Sequence, residues 1–150
     1  MRKYIGTKLV EAEPAIRKGG KVYAKNSPLP DILEPEEDGY KVRYPDGYES
    51  FSPKDVFEEA YRPIDGMNFG LAIEAVKKGK KCRRAGWNGK NQYIELATRI
   101  SYLSAGGVYM NVEHEAIGNQ AIAFVGTSGV QMGWLASQAD MLAEDWEIVE

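Results

Sequence analysis

Apolar and polar residues alternate most clearly at Tyr40, Val42 and Tyr44, which are separated by Lys41 and Arg43. A period of two is that of a strand with one buried face. Pro45-Asp46-Gly47 predicts a turn, since Gly accepts the positive φ a reversal needs, and Tyr48-Glu49-Ser50-Phe51 predicts the partner strand. Ser52 then reads as a helix cap, with Pro53 as the first helical residue and Asp55 in the first turn. Val56, Phe57 and Ala60 would form the apolar face of that helix, and Arg62-Pro63 its stop. Upstream, residues 4–10 and 21–24 read as short strands. Between Ala24 and Gly39, the prolines Pro28, Pro30 and Pro35 and the acids Glu36, Glu37 and Asp38 predict an irregular loop.

A second unit begins at Asn68, a good cap, followed by Phe69, Ala72, Ile73 and Val76 at helical spacing. Lys77 and Lys78 complement the helix C-terminus and Gly79 closes it. Residues 81–87 read as a strand, Asn88-Gly89 as a tight turn and residues 91–96 as the returning strand. Two more hairpins follow, residues 100–103 with 108–112 around Ala105-Gly106-Gly107, and 121–125 with 130–135 around Gly126-Thr127-Ser128-Gly129. Ser137 and Asp140 have capping-box spacing for a short helix through Leu142, and Trp146 and Ile148 mark a last strand. The chain is expected to be α+β. A small sheet-plus-helix domain over residues 1–63 and a linker at Ile64-Asp65-Gly66 precede a second domain within 64–150, an antiparallel β-sheet with an N-terminal helix.

Composition narrows the classes. Apolar and charged fractions of 43% and 27% are those of a globular chain. A formal charge of -3 gives no overall argument for polymeric nucleic acid or a membrane surface. No apolar run approaches the roughly 18 to 20 residues of a membrane span, and Met1-Arg2-Lys3-Tyr4-Ile5-Gly6 lacks the apolar stretch of a signal peptide. Cys82 is the single cysteine, so an internal disulfide is impossible and a reducing, cytoplasmic location is expected.

Catalytic chemistry is poorly provided for. His114 is the single histidine, which excludes a histidine cluster, and one cysteine excludes a thiolate metal site. Ser128, in Gly-Thr-Ser-Gly, lacks the strand-to-helix setting of a nucleophile elbow, and Gly106-Gly107 opens no helix. No cofactor, metal or catalytic residue is expected. Asp140, Glu144 and Asp145 leave an acid/base pair open, beside the plainer reading of a cap and solvated helix-end acids.

Binding chemistry is better supported. In the second domain Lys77, Lys78, Lys80, Lys81, Arg83, Arg84 and Lys90 crowd one stretch. Asp140, Glu144, Asp145, Glu147 and Glu150 crowd the far end, so that the two could face each other within a subunit or across subunits. Trp87 lies between Gly86 and Gly89 beside two arginines. An indole offers a stacking face worth ~1–3 kcal/mol per base. Arg83 or Arg84 could meet phosphate, and strand alternation allows only one of them on the Trp87 side. Trp134 follows Gly133 and precedes the capped turn Ser137-Gln138-Ala139-Asp140, where Asp140 suits a ribose hydroxyl or an adenine amine. The plainer alternative is that these tryptophans are core and the basic strand is solvated.

The residues Met67-Asn68-Phe69-Gly70-Leu71-Ala72-Ile73, Gly79-Lys80, Arg84-Ala85-Gly86-Trp87-Asn88-Gly89-Lys90 and Tyr93-Ile94 resemble a known pattern, completed by the run from Trp134 to Trp146. The pattern is similar to that of the second type of Thoeris anti-defence protein, a bacteriophage family, over about Met67 to Glu150. The resemblance implies a sponge that sequesters, without cleaving, the cyclic ADP-ribose-type signal (glycocyclic ADP-ribose) made by bacterial TIR-domain proteins. It also implies separate pockets for cyclic di- or trinucleotides of cGAS-like (CBASS) systems, and a homotetramer with signal pockets at subunit interfaces in the host bacterial cytoplasm. Within it Arg84, Trp87, Asn88 and Lys90 belong to the first motif and Trp134, Ser137, Gln138 and Asp140 to the second, together the expected ligand-binding residues. Where the family usually carries Pro this chain has Ala136, which should loosen the entry to the capped turn. Residues 1–63 fall outside the resemblance and look like a small accessory domain of phage proteins with no assigned activity. The alternatives to a binding protein are a nucleotide-processing enzyme and a structural interaction module.

Overall fold

The computed structural model describes residues 1–87, 91–111 and 120–150. The chain divides into two compact units, Met1–Arg62 and Pro63–Glu150.

In the first unit the strands β1 (Glu11–Lys18), β2 (Lys21–Ala24), β3 (Glu36–Arg43) and β4 (Glu49–Pro53) form an antiparallel sheet in the order β2-β1-β3-β4. The first strand is not at residues 4–10, which form no regular element and leave Tyr4 and Ile5 in solvent. It lies one segment later, where the side chains find cross-strand partners: Glu11 meets Arg43, Arg17 meets Glu37 and Lys18 meets Glu36. These pairs also explain why the acidic run, expected in a loop, starts β3. Glu36 and Glu37 lie opposite the β1 cations Lys18 and Arg17, and opposite charges at facing strand positions are favourable. Pro14 is tolerated inside β1 because its carbonyl accepts from Lys25 N just beyond the end of β2, which puts its missing N–H on that side and away from the β3 ladder.

The turn at Pro45-Asp46-Gly47 forms as expected, with Gly47 N donating to Tyr44 O at 2.9 Å and Gly47 at φ 89°. Helix α1 (Lys54–Ala60) differs from expectation. Ser52 stays in the ladder opposite Tyr40, the cap position falls on Pro53, and no side chain caps the helix. Val56 is exposed. Phe57 carries the packing, stacked on Tyr40 at 4.2 Å and on Tyr61 at 4.9 Å between ring centroids.

The second unit opens with a clip rather than a free linker. Ile64 O accepts from Ile148 N at 2.8 Å, Gly66 N donates to Pro63 O, and Met67 exchanges two backbone hydrogen bonds with Trp146. Helix α2 (Phe69–Lys77) is capped by Asn68, whose side chain accepts from Leu71 N at 2.9 Å. Gly79, at φ 86°, lets the chain leave it in a conformation costly for residues with a Cβ. Strands β5 (Lys81–Arg84), β6 (Tyr93–Ala97), β9 (Ala121–Gly126), β10 (Gly129–Met132) and β11 (Trp146–Val149) form a sheet in the order β10-β9-β6-β5-β11, all neighbours antiparallel. The short strands β7 (Tyr102–Leu103) and β8 (Tyr109–Met110) make a separate hairpin. Helix α3 (Gln138–Leu142) precedes β11. Met67, Ala72, Ala75, Val76, Cys82, Ile94 and Trp146 are the core of this unit, with Trp146 fully buried. Among the described residues no helix is long and apolar enough to cross a membrane.

Candidate functional site

The strand β5 ends at Arg84, short of the expected Trp87, because the chain turns at Ala85-Gly86. Trp87 N donates to Arg84 O at 3.3 Å, and Ala85 N is held by Asp145 O at 3.0 Å. The turn aims the Trp87 ring at the core rim. There it meets Phe124, Trp134 and Trp146 edge-on, at centroid distances of 5.4, 6.1 and 5.3 Å. Such tilted arrangements suit the aromatic quadrupole. Trp134 reaches the same cluster because β10 stops at Gly133, which has φ 79°. Ile122 O accepts from both Gly133 N and Trp134 N, which swings the indole against Phe124, near-parallel at 6.4 Å.

The polar side of this cluster centres on Asp140. Its capping box with Ser137 is complete: Asp140 N donates to Ser137 Oγ and Ser137 N to Asp140 Oδ2, both at 3.1 Å. It forms with Ala136, not Pro, in front of it. Asp140 Oδ1 accepts from Arg84 Nη1 at 3.1 Å and from Trp87 Nε1 at 3.3 Å. Trp146 Nε1 donates to the backbone oxygen of the same residue at 2.9 Å. Asp145 holds the other side of Arg84, accepting from its Nε at 2.9 Å, and also accepts from Gly86 N at 3.0 Å.

The electrostatics follow from this geometry. Burial pushes the Asp140 carboxyl up, but the bonds from Ser137, Arg84 and Trp87 outweigh it and hold the group below its ordinary value. Asp145 is held low first by its bond to Arg84, against a smaller burial effect, with help from Gly86 N. The Arg84 guanidinium is raised by Asp145 and then Asp140. One cation thus sits between two carboxylates, all ionised at neutral pH.

Residues 67–149, which contain every element of this cluster, match the model of the Thoeris anti-defense 2-like domain. The chain belongs to the Thoeris anti-defense 2-like family. It is 40% identical over 88 residues to Thoeris anti-defense 2 of Bacillus phage SP01, an alignment covering 55% of this chain and 94% of the relative. The first unit lies outside the match.

Within this Thoeris anti-defense 2-like unit, the structure brings Arg84, Trp87, Trp134, Ser137 and Asp140 of the expected set together around one turn. Gln138, in the first turn of α3, has an exposed side chain. Asn88 and Lys90 lie outside the described residues, as does His114. The acidic end meets the basic stretch within the subunit, since β11 pairs with β5 and Arg83 Nε binds Glu147 at 2.6 Å. Arg83 and Arg84 bind different acids, as strand alternation requires, and Arg84 is the one joined to Trp87's partner. Of the other cations, Lys77 pairs with Glu74 and Lys81 lies over the Tyr93 ring, both away from this cluster. Phe124, Trp146 and Asp145 complete the cluster and are not among the expected binding residues. Nothing in the spacing of Phe124 singles it out from other strand aromatics. In the sequence Asp145 is only one of several helix-end acids. Among the described residues no group of three or more His, Cys, Asp or Glu is placed to hold a metal ion.

Proposed function

We propose that this Thoeris anti-defense 2-like unit binds a cyclic ADP-ribose-type signal of TIR-domain proteins and keeps it intact, depriving a bacterial defence of its activator. One observation carries the reading. The two motifs, more than 50 residues apart in the chain, converge on Asp140 through Arg84 Nη1 and Trp87 Nε1. This leaves a half-buried indole and the exposed Ser137-Gln138 turn side by side on the surface of the unit. An aromatic face beside hydrogen-bonding groups is the chemistry that receives a base and its ribose. The family name, and that of the Bacillus phage SP01 relative, supports the defence-evasion context. In this reading the ligand contacts come from Arg84, Trp87, Asn88, Lys90, Trp134, Ser137, Gln138 and Asp140, and the protein works in the host cytoplasm.

Holding without cleaving fits the carboxylates. An acid/base pair needs one carboxyl raised to carry a proton at neutral pH while its neighbour stays ionised. Here Asp140 and Asp145 are both held low around the same arginine. Self-association into a homotetramer, with pockets completed at subunit contacts, is part of the proposal. It is supported by the exposure of Tyr102, Leu103, Val108, Tyr109 and Met110 on and beside the β7–β8 hairpin, since a lone two-stranded hairpin is marginal in water. Cyclic di- or trinucleotides of CBASS systems are the proposed second ligand class.

The test is calorimetric titration of the protein with purified TIR-enzyme cyclic product, with its mass in solution measured in parallel. Saturable binding by a tetramer is expected. Absence of binding overturns the reading in favour of an interaction module. One observation favours that alternative: Trp87 and Trp134 both pack on the core cluster.

A further inference from the structure

The Trp87 turn is closed into a ring of polar contacts, and the residue that closes it is not one of the expected ligand residues. Arg84 Nε donates to Asp145 Oδ1, Asp145 Oδ2 accepts from Gly86 N, Gly86 is joined covalently to Trp87, Trp87 Nε1 donates to Asp140 Oδ1, and Asp140 Oδ1 accepts from Arg84 Nη1. The backbone oxygen of Asp145 also accepts from Ala85 N. We infer that Asp145 is a positioning residue: it fixes the Ala85-Gly86 turn and so sets where the Trp87 indole stands.

Three features point to a dedicated role. First, the two carboxylate oxygens take donors from two different directions, a side-chain guanidinium and a backbone amide. Only an acceptor-only group can do both, because an amide would present N–H to one of them. Second, the close approach uses a glycine where no unusual φ demands one. A Cβ on Gly86 would stand 3.2 Å from Asp145 Oδ2, tighter than ordinary contact. Third, Asp145 directly precedes β11, whose first residue, Trp146, is fully buried and is itself one of the rings against Trp87. The clamp is therefore anchored to the buried core of the unit.

The experiment uses the full chain and its Asp145→Asn and Gly86→Ala variants, with the Trp87 indole N–H resonance assigned by its loss in Trp87→Phe. Both variants should stay folded by amide dispersion while that resonance shifts and its hydrogen-exchange protection falls by roughly tenfold, the scale of one charge-assisted bond. An unchanged, equally protected indole resonance in folded Asp145→Asn and Gly86→Ala overturns the inference. The second arm rests on the proposed ligand role of Trp87 and uses the TIR-enzyme cyclic product as probe. Asp145→Asn should weaken binding by roughly tenfold in the native background and by no further factor in a Trp87→Ala background, since a residue acting through Trp87 cannot act without it. Equal losses in both backgrounds overturn positioning. No binding by the unaltered chain overturns the proposed function, leaving positioning to be decided by the indole resonance.

Discussion

Replacing Arg84 with Met removes the one cation between Asp140 and Asp145 while keeping much of the apolar stem. The side chains of Arg84, Asp140 and Asp145 retain 22%, 14% and 37% of their exposure, so the triad is neither a surface pair nor a sealed one. Exposed ion pairs are worth about 0–1 kcal/mol, and stripping one partner from a buried pair costs about 3–5 kcal/mol. Asp140 keeps its bonds from Ser137 N and Trp87 Nε1 and Asp145 keeps Gly86 N, which softens the loss. The expected cost is about 2 kcal/mol at pH 7, or roughly 8–16 °C in midpoint for a domain of this size. Its pH dependence is the sharper test. Both carboxyls lie below their ordinary range in the folded protein. Their contribution to stability is therefore complete above about pH 4, near the unfolded value, and is lost as pH falls through the lower folded values. Without Arg84 the folded values rise, so acid takes less from the variant than from the native chain. Urea unfolding followed by tryptophan emission at pH 7 and about pH 3 should show the gap between the two proteins closing at the lower pH. A gap of the same size at both would refute the electrostatic account of this triad.

Trp87→Phe keeps a ring against Phe124, Trp134 and Trp146 but removes the donor to Asp140; it should cost about 1 kcal/mol of stability and about tenfold in affinity for the cyclic probe by calorimetry. Ser137→Ala removes the acceptor for Asp140 N and should lower stability by about 1 kcal/mol in urea melts. The Cys82 thiol, fully buried and pushed up by burial to about 11, should resist a thiol reagent at pH 8 in the folded protein and react promptly in urea.

Much of the second unit could be read from spacing because local chemistry and tertiary packing agree there. Asn68 and Ser137 cap the helices they were expected to cap, and Gly79 turns the chain where the helical pattern stops. The first unit was harder for the opposite reason. Residues 4–10 have the apolar content of a strand but pair with no strand among the described residues, whereas Glu36-Glu37-Asp38 looks like a loop until Arg17 and Lys18 are set across from two of its acids. Pairing between residues about twenty positions apart leaves no periodicity to detect. The same limit applies to the candidate site. The composition of each motif was visible, but not that Asp140 would accept from both Arg84 and Trp87, nor that Asp145 would hold the turn between them.

The proposed function requires this protein to retain a cyclic ADP-ribose-type molecule without breaking it. The direct measurement is to load the chain with TIR-enzyme product, remove free ligand, denature by heat and weigh what is released by mass spectrometry. The intact cyclic molecule is expected in a fixed ratio to protein. Recovery of a linear or hydrolysed product, or of nothing at all, would contradict it.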